Sequence, residues 1–426
     1  MRPKREIVLG GAALSLTACL NLPLGGTEAA DDLPGDHACS PRSSIHGPDD
    51  PVDSAPIDAS AQFPWDEEQP RVADGFAGDE HIFVLGGDPG EGIPALDEPC
   101  FEPVSGEVDW LEPQSPVLAI EVDDQARAYP LAILHYHEIV NDLIGGEPVA
   151  VTYCPLCNSG LAFDRSVDGR VLDFAVSGRL YQSNLVMYDR QTRSLWLQFT
   201  GEAISGEPYV GRTLERIPTW LVSWDEFGEA HPDGWVLTRE TGYERDYDFN
   251  PYAGYADAPP PAGHDPYFGN FGKWPEVGVE LKAKSRVVGL SSEVGDDAVA
   301  IPLESLSEVR QTTVELDGKD VLVLWAPGKA DALDTARLDD GRDIGQVGTY
   351  IPQASVEGRQ ANLTITPDPG DNRRFVDEET NSTWTILGHA IDGPLQGTRL
   401  QPVARDDTLW SVWFSFHPST RVHAPS

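Results

Sequence analysis

"AYPLAILHYHEIVNDLIGGEPVAVTYCP", Ala128–Pro155, lies without a gap on "AIPLESLSEVRQTTVELDGKDVLVLWAP", Ala300–Pro327. Four more matches follow the same order along the chain. "SPVLAIEV" at Ser115 pairs with "SRVVGLSS" at Ser285, and "DRQTRSLW" ending at Trp196 pairs with "DEETNSTW" ending at Trp384. "GEAISG" at Gly201 pairs with "GHAIDG" at Gly388, and "SWDEFGEAHP" at Ser223 with "LWSVWFSFHP" at Leu409. Ordered self-similarity of this kind is the signature of a repeated structural unit. The expected organisation is two related units, residues 93–258 and 275–426, packed through a shared core with pseudo-twofold symmetry.

Within each copy, short runs of β-branched and aromatic residues alternate with Gly, Asp and Pro. "VLAIEV" at Val117, "PVAVTY" at Pro148, "VLVLW" at Val321 and "LWSVWF" at Leu409 are examples. Such runs with turn signals between them predict a mainly β fold with a few short helices, of the α+β class. The best helical spacing covers Tyr129–Ile144, where Leu131, Ile133, Leu134, Ile139, Val140 and Leu143 recur on one face.

The repeat separates architecture from chemistry. Pro130/Pro302, Gly146/Gly318, Trp196/Trp384 and Pro232/Pro418 agree between copies, as residues that shape turns or fill cores should. His231 and His417 are also shared and read as structural. Cys154, Cys157, His135 and His137 face Ala326, Lys329, Ser307 and Val309, so a Cys and His constellation is confined to the first copy.

Composition narrows the function. Seventy acidic against thirty basic residues give a net charge of −40, which repels nucleic acid and offers no basic stripe for phosphates. No GxxxxGK[ST], no GxGxxG after a strand and no GxSxG elbow is present, so no nucleotide cofactor is expected. The first nineteen residues, "MRPKREIVLGGAALSLTAC", read as an export signal: early basic residues, a short apolar run, then Leu-Thr-Ala-Cys. The ending resembles a lipobox with Cys19 as the lipidated residue, which would anchor the chain by lipid on the extracytoplasmic side of a membrane. Residues 20–75 are rich in Pro, Asp, Gly and Ser and read as an acidic, flexible tether. In an oxidising compartment Cys39 and Cys100 could form a disulfide, leaving Cys154 and Cys157 as a separate pair.

That pair can be read in three ways. A thioredoxin-type CxxC opens a helix that lowers the thiol pKa, but "NSGLAFDRSVDG" after Cys157 reads as turn and strand. A CxxC on a strand–turn–strand looks more like a metal knuckle for zinc or copper, with His137 as third ligand and His135 or Glu138 as fourth. With only Met1 and Met187 in the chain, a Met-rich copper site is excluded. The alternatives are a thiol–disulfide oxidoreductase using Cys154 and Cys157, or purely structural cysteines in a ligand-binding or scaffold protein.

The blocks "AYPLAILHYHEIVND", "VTYCPLCNSGLAFDR", "SGRLYQSNLVMYDRQTRSLWLQ" and "RDYDFNPYAGY" resemble the domain of unknown function 3179 family, from about Ile93 to the carboxyl end. The resemblance implies an extracytoplasmic or lipoprotein setting and no particular reaction. It places His137, Glu138, Asn141, Asp142, Cys154, Cys157, Arg179, Ser183, Asn184, Tyr188 and Asp189 on motif positions, while His135 and Cys100 depart from the pattern. Arg179, Ser183 and Asn184 could line a polar pocket for an anionic ligand, or equally satisfy buried backbone groups. No protein partner can be named.

Overall fold

A computed structural model describes residues 84–85, 92–258, 280–292, 295, 297–356 and 358–426. The signal segment with Cys19, the tether 20–75, Cys39 as partner for Cys100, and the first residues of the 275–426 unit lie outside them. The described residues are mainly β, with several small sheets and four helices of seven residues each: α1 (Leu131–His137), α2 (Trp224–Ala230), α3 (Leu303–Val309) and α4 (Trp410–Phe416).

The opening sequence stretch builds a hairpin, a helix and a second hairpin. Pro116–Val122 pairs antiparallel with Gln125–Pro130, α1 follows, and Ile139–Ile144 then pairs antiparallel with Glu147–Cys154. The helix expected over Tyr129–Ile144 is therefore cut to one part of that span. Glu138 takes a left-handed conformation, φ 56°, as the C-cap of α1, and its N–H donates to the Leu134 carbonyl. The β-branched pair Ile139–Val140 beyond it favours strand, and the apolar period of 3.6 was satisfied by two elements rather than one.

Downstream of residue 280 the same succession occurs. Arg286–Ser291 pairs with Ala298–Pro302, α3 follows with Arg310 as a left-handed C-cap, and Gln311–Leu316 pairs with Lys319–Ala326. Sheet order corresponds as well. Thr219–Ser223, Pro116–Val122, Gln125–Pro130 and Trp235–Leu237 are adjacent in that order, the last pair parallel. Asp406–Leu409, Arg286–Ser291, Ala298–Pro302 and Arg421–Val422 are likewise adjacent, again with a parallel last pair.

A shared hydrogen-bond set explains the matching "DRQTRSLW" and "DEETNSTW". Asp189 closes its turn by accepting from Thr192 N and Oγ1 and receives the Trp196 indole N–H at 2.9 Å. Asp377 accepts from Thr380 N and Oγ1 and receives the Trp384 indole N–H at 2.9 Å. Both tryptophans are fully buried.

The cores join distant parts of the chain. One apolar cluster contains Phe174, Trp196 and Phe199 together with Val287, Trp410 and Trp413. Another contains Val117, Trp220 and Phe227 together with Tyr350, Phe375 and Trp384. Packing is close enough that a Cβ on Gly289 would lie 2.2 Å from the Trp413 ring.

Candidate functional site

Two hairpin tips meet at the cysteines. The first joins Glu147–Cys154 to Ser159–Asp164, with Cys154 paired to Ser159 and residues 155–158 forming the turn. Pro155 fixes φ early in the turn. Asn158, at φ 56°, supplies the left-handed residue that closes it, a conformation Asn tolerates well. The second tip joins Phe174–Tyr181 to Asn184–Asp189 through Gln182 and Ser183, both at positive φ. Two successive positive φ values are the mark of the type I′ hairpin. They turn the Ser183 carbonyl toward the sulfurs, where it accepts from Cys157 Sγ at 3.1 Å.

Cys154 and Cys157 are free thiols, buried in the first apolar cluster, with their Sγ atoms 2.7 Å apart. Asn184 Nδ2 reaches Cys157 Sγ at 3.3 Å and donates to Gln198 Oε1 at 2.7 Å. Gln198 in turn donates to Thr152 Oγ1 and the Ser159 carbonyl, tying the two tips together. The Cys157 carbonyl accepts from Leu409 N and Thr408 Oγ1, both at 3.0 Å. Tyr255 O–H donates to the Leu156 carbonyl at 3.2 Å. Burial pushes the Cys157 thiol well above its usual range, and the neighbouring Cys154 adds to the effect.

A second buried group borders the thiols. The Glu138 carboxyl is pushed up to about 8 by burial, against a hydrogen bond from Tyr252 O–H at 3.4 Å that favours the carboxylate. The Glu138 charge adds to the cost of ionising Cys157, and Cys154 and Glu138 both raise Tyr252, so these groups share one electrostatic neighbourhood. His135 lies between the Tyr153 and Tyr252 rings, with centroids at 5.5 and 5.2 Å. Burial lowers its pKa to about 3, so it is neutral at pH 7.

The expected ligand set does not come together. His137 has both ring nitrogens engaged, Nδ1 with the Pro94 carbonyl at 2.8 Å and Nε2 with Tyr247 O–H at 2.7 Å. Among the described residues the one group of three or more His, Cys, Asp or Glu ligand atoms within 4.8 Å of one another is Glu121, His231 and His389, and it contains no cysteine. Two thiolates at about 2.3 Å from a tetrahedral zinc would stand about 3.8 Å apart. The 2.7 Å separation is shorter than that and longer than a disulfide bond of about 2.05 Å.

The pocket residues divide. Ser183 and Asn184 touch Cys157, as above. Asn141 instead satisfies backbone, donating to the Phe174 carbonyl and accepting from Phe174 N, and also donates to Asp97. Asp142 is buried against Arg127 and Tyr129 O–H. Asp189 belongs to the Trp196 turn, and Tyr188 is buried in the core. Arg179 follows a register shift in its strand and is half-buried. Thr408 escaped notice because it arrives from a remote segment with no local motif, whereas Gln198 closes the "SGRLYQSNLVMYDRQTRSLWLQ" block. Tyr252 and Tyr255 do carry a signal, the "NPYAGY" block.

Glu138 makes stability depend on pH. Its folded pKa exceeds the ordinary 4.5, so the native state binds the extra proton and stability falls as pH rises from about 4.5 to about 8. His135 and His137, lowered to about 3 and about 4, act in the opposite sense below 6.5. Between pH 6.5 and 8 the Glu138 contribution is therefore unmasked. Glu138→Gln is expected to gain on the wild type across this window, by at most about 1.4 kcal/mol per pH unit. Urea denaturation of both proteins at several pH values measures the difference; a pH-independent difference contradicts it.

No curated protein matches the chain. No solved structure matches it either. A family model matches residues 90–420, which include both hairpin tips, α1 and the Tyr252–Tyr255 segment. The chain belongs to the family described as protein of unknown function (DUF3179).

Proposed function

We propose that Cys154 and Cys157 form a redox centre that cycles between dithiol and disulfide, in a lipid-anchored protein on the extracytoplasmic side of a membrane. The carrying observation is the 2.7 Å approach of two free thiols at a hairpin tip. In the oxidising half-cycle a small-molecule disulfide is attacked by one thiolate, and one thiol leaves. The second cysteine then displaces the other thiol, so the protein disulfide forms as two thiols are released. The two protein thiols give up two protons in all. The two leaving thiolates take them up, which completes the two released thiols. Burial of both sulfurs restricts direct exchange to small reagents or to an opened tip, and sets this centre apart from exposed thioredoxin-type pairs.

The charged and apolar start ending at Cys19 supports the anchor, and the acidic Pro-rich stretch after it supports a tether. The corresponding strand orders and the two Asp–Thr–Trp turns support descent of residues 93–258 and 275–426 from one β-rich unit, the second having lost the cysteines.

The test is a redox titration of the full chain in reduced and oxidised glutathione, followed by alkylation and peptide mass measurement. Cys154 and Cys157 are expected to lose reactivity together at one two-electron midpoint. Thiols that stay reduced at every ratio, or that are shielded from alkylation by a stoichiometric metal, contradict the proposal.

A further inference from the structure

Away from the cysteines, three segments remote in sequence converge. Glu121 lies near the end of the strand Pro116–Val122, His231 is the C-cap of α2, and His389 follows the Trp384 strand. Glu121 Oε1 stands 3.0 Å from His231 Nε2 and 3.2 Å from His389 Nε2. The imidazole rings are perpendicular, with centroids 5.3 Å apart, and both present Nε2 to the same oxygen.

The geometry points to a site for a single divalent cation of the zinc type, held by Glu121, His231 and His389. Two imidazoles with one carboxylate are a known zinc donor set, leaving a fourth position for water. Ligand atoms about 2.0–2.1 Å from a tetrahedral ion lie about 3.4 Å from one another. The two carboxylate–imidazole separations are already close to that value. Both imidazoles stand within ion-pair distance of that one oxygen, and His231 is 7% exposed. A divalent cation among the three atoms would take the place of the proton that such a pair needs. Arg399 Nη1 holds the other carboxylate oxygen, Oε2, which leaves Oε1 as the single donor and fixes its direction.

The corresponding place in the other repeat supports a site rather than a packing arrangement. There the sequence match puts Ser291 opposite Glu121 and Glu202 opposite His389. His417, the equivalent C-cap, packs tilted against the Trp413 ring with centroids 4.0 Å apart. The shared histidine thus caps a helix in both places, while the donor set is complete at one. His231, expected to be structural, caps α2 with its backbone and turns its ring to Glu121.

Full-length protein stripped with a chelator and titrated with zinc alone should bind one equivalent and unfold at a higher temperature. Cobalt in its place should give visible bands of a four-coordinate nitrogen and oxygen site, without a thiolate charge-transfer band. His389→Ala, at a half-buried residue bridged to Arg399, should weaken zinc binding by at least about 100-fold, beyond the range typical of outer-shell changes. Cys154→Ser/Cys157→Ser should bind zinc as the wild type does. Glu121→Gln, which keeps the shape of the side chain, should weaken it as His389→Ala does. The assignment is overturned by absence of saturable binding, by a thiolate band, or by unchanged affinity in His389→Ala and Glu121→Gln.

Discussion

Trp384→Ala is expected to cost about 3–5 kcal/mol of stability, and Trp196→Ala about the same. Each removes a fully buried indole and leaves a cavity in a cluster that joins distant parts of the chain. Each also strips one donor from a buried aspartate, Asp377 or Asp189. Trp→Phe at the same sites separates the two effects, because it keeps an aromatic body and removes the N–H. The remaining loss should be about 1–3 kcal/mol, the cost of an acceptor left short of a donor. Denaturant unfolding measures all four variants. A loss below about 1 kcal/mol for either alanine variant would mean that the turn does not depend on its indole.

Glu226→Ala is expected to cost about 3–5 kcal/mol, the range for breaking a buried ion pair by removing one partner. Glu226 lies in the first turn of α2, where Ser223 accepts from its backbone N–H, and its side chain is fully buried. Arg374 Nη1 reaches both carboxylate oxygens, at 3.1 and 3.0 Å, and Arg373 Nη2 reaches one of them at 3.0 Å. Glu229 also contacts both arginines but is half exposed, so it compensates only in part. Replacing Glu226 and Arg374 together by methionine should recover most of the loss, since no buried charge is then left alone. Thermal or urea unfolding of the singles and the double closes the cycle. A double variant no better than Glu226→Ala would show that the contact is not pairwise.

What could be read in advance depended on distance along the chain. Short alternating runs gave the strands around Val117, Val149 and Val321 because their periodicity is local, whereas "LWSVWF" at Leu409, read as strand, continues into the helix Trp410–Phe416. Residues after Cys157 lacking helical pattern gave the strand–turn–strand at the CPLC tip. Tyr129–Ile144 misled because apolar positions at helical spacing also fit a short helix followed by a strand, and only the left-handed Glu138 separates the two. The site followed the same rule. Asn184 was legible through its motif, whereas the Ser183 contact comes from a carbonyl and depends on backbone geometry rather than side-chain type. His137 lay close in sequence to the cysteines, yet its ring turns to Pro94 and Tyr247. Glu121, His231 and His389 carry no common motif, because convergence of three remote segments leaves no trace in spacing.

The two donors on the Cys157 carbonyl set an order of events during the making of the protein. Thr408 follows Cys157 by 251 positions, and Leu409 comes one later. A chain that emerges amino end first therefore has its CPLC tip synthesised long before the strand that clasps it exists. Until that strand docks, the backbone of the tip lacks both of these donors, so this end of the hairpin is completed only after nearly the whole chain has been made.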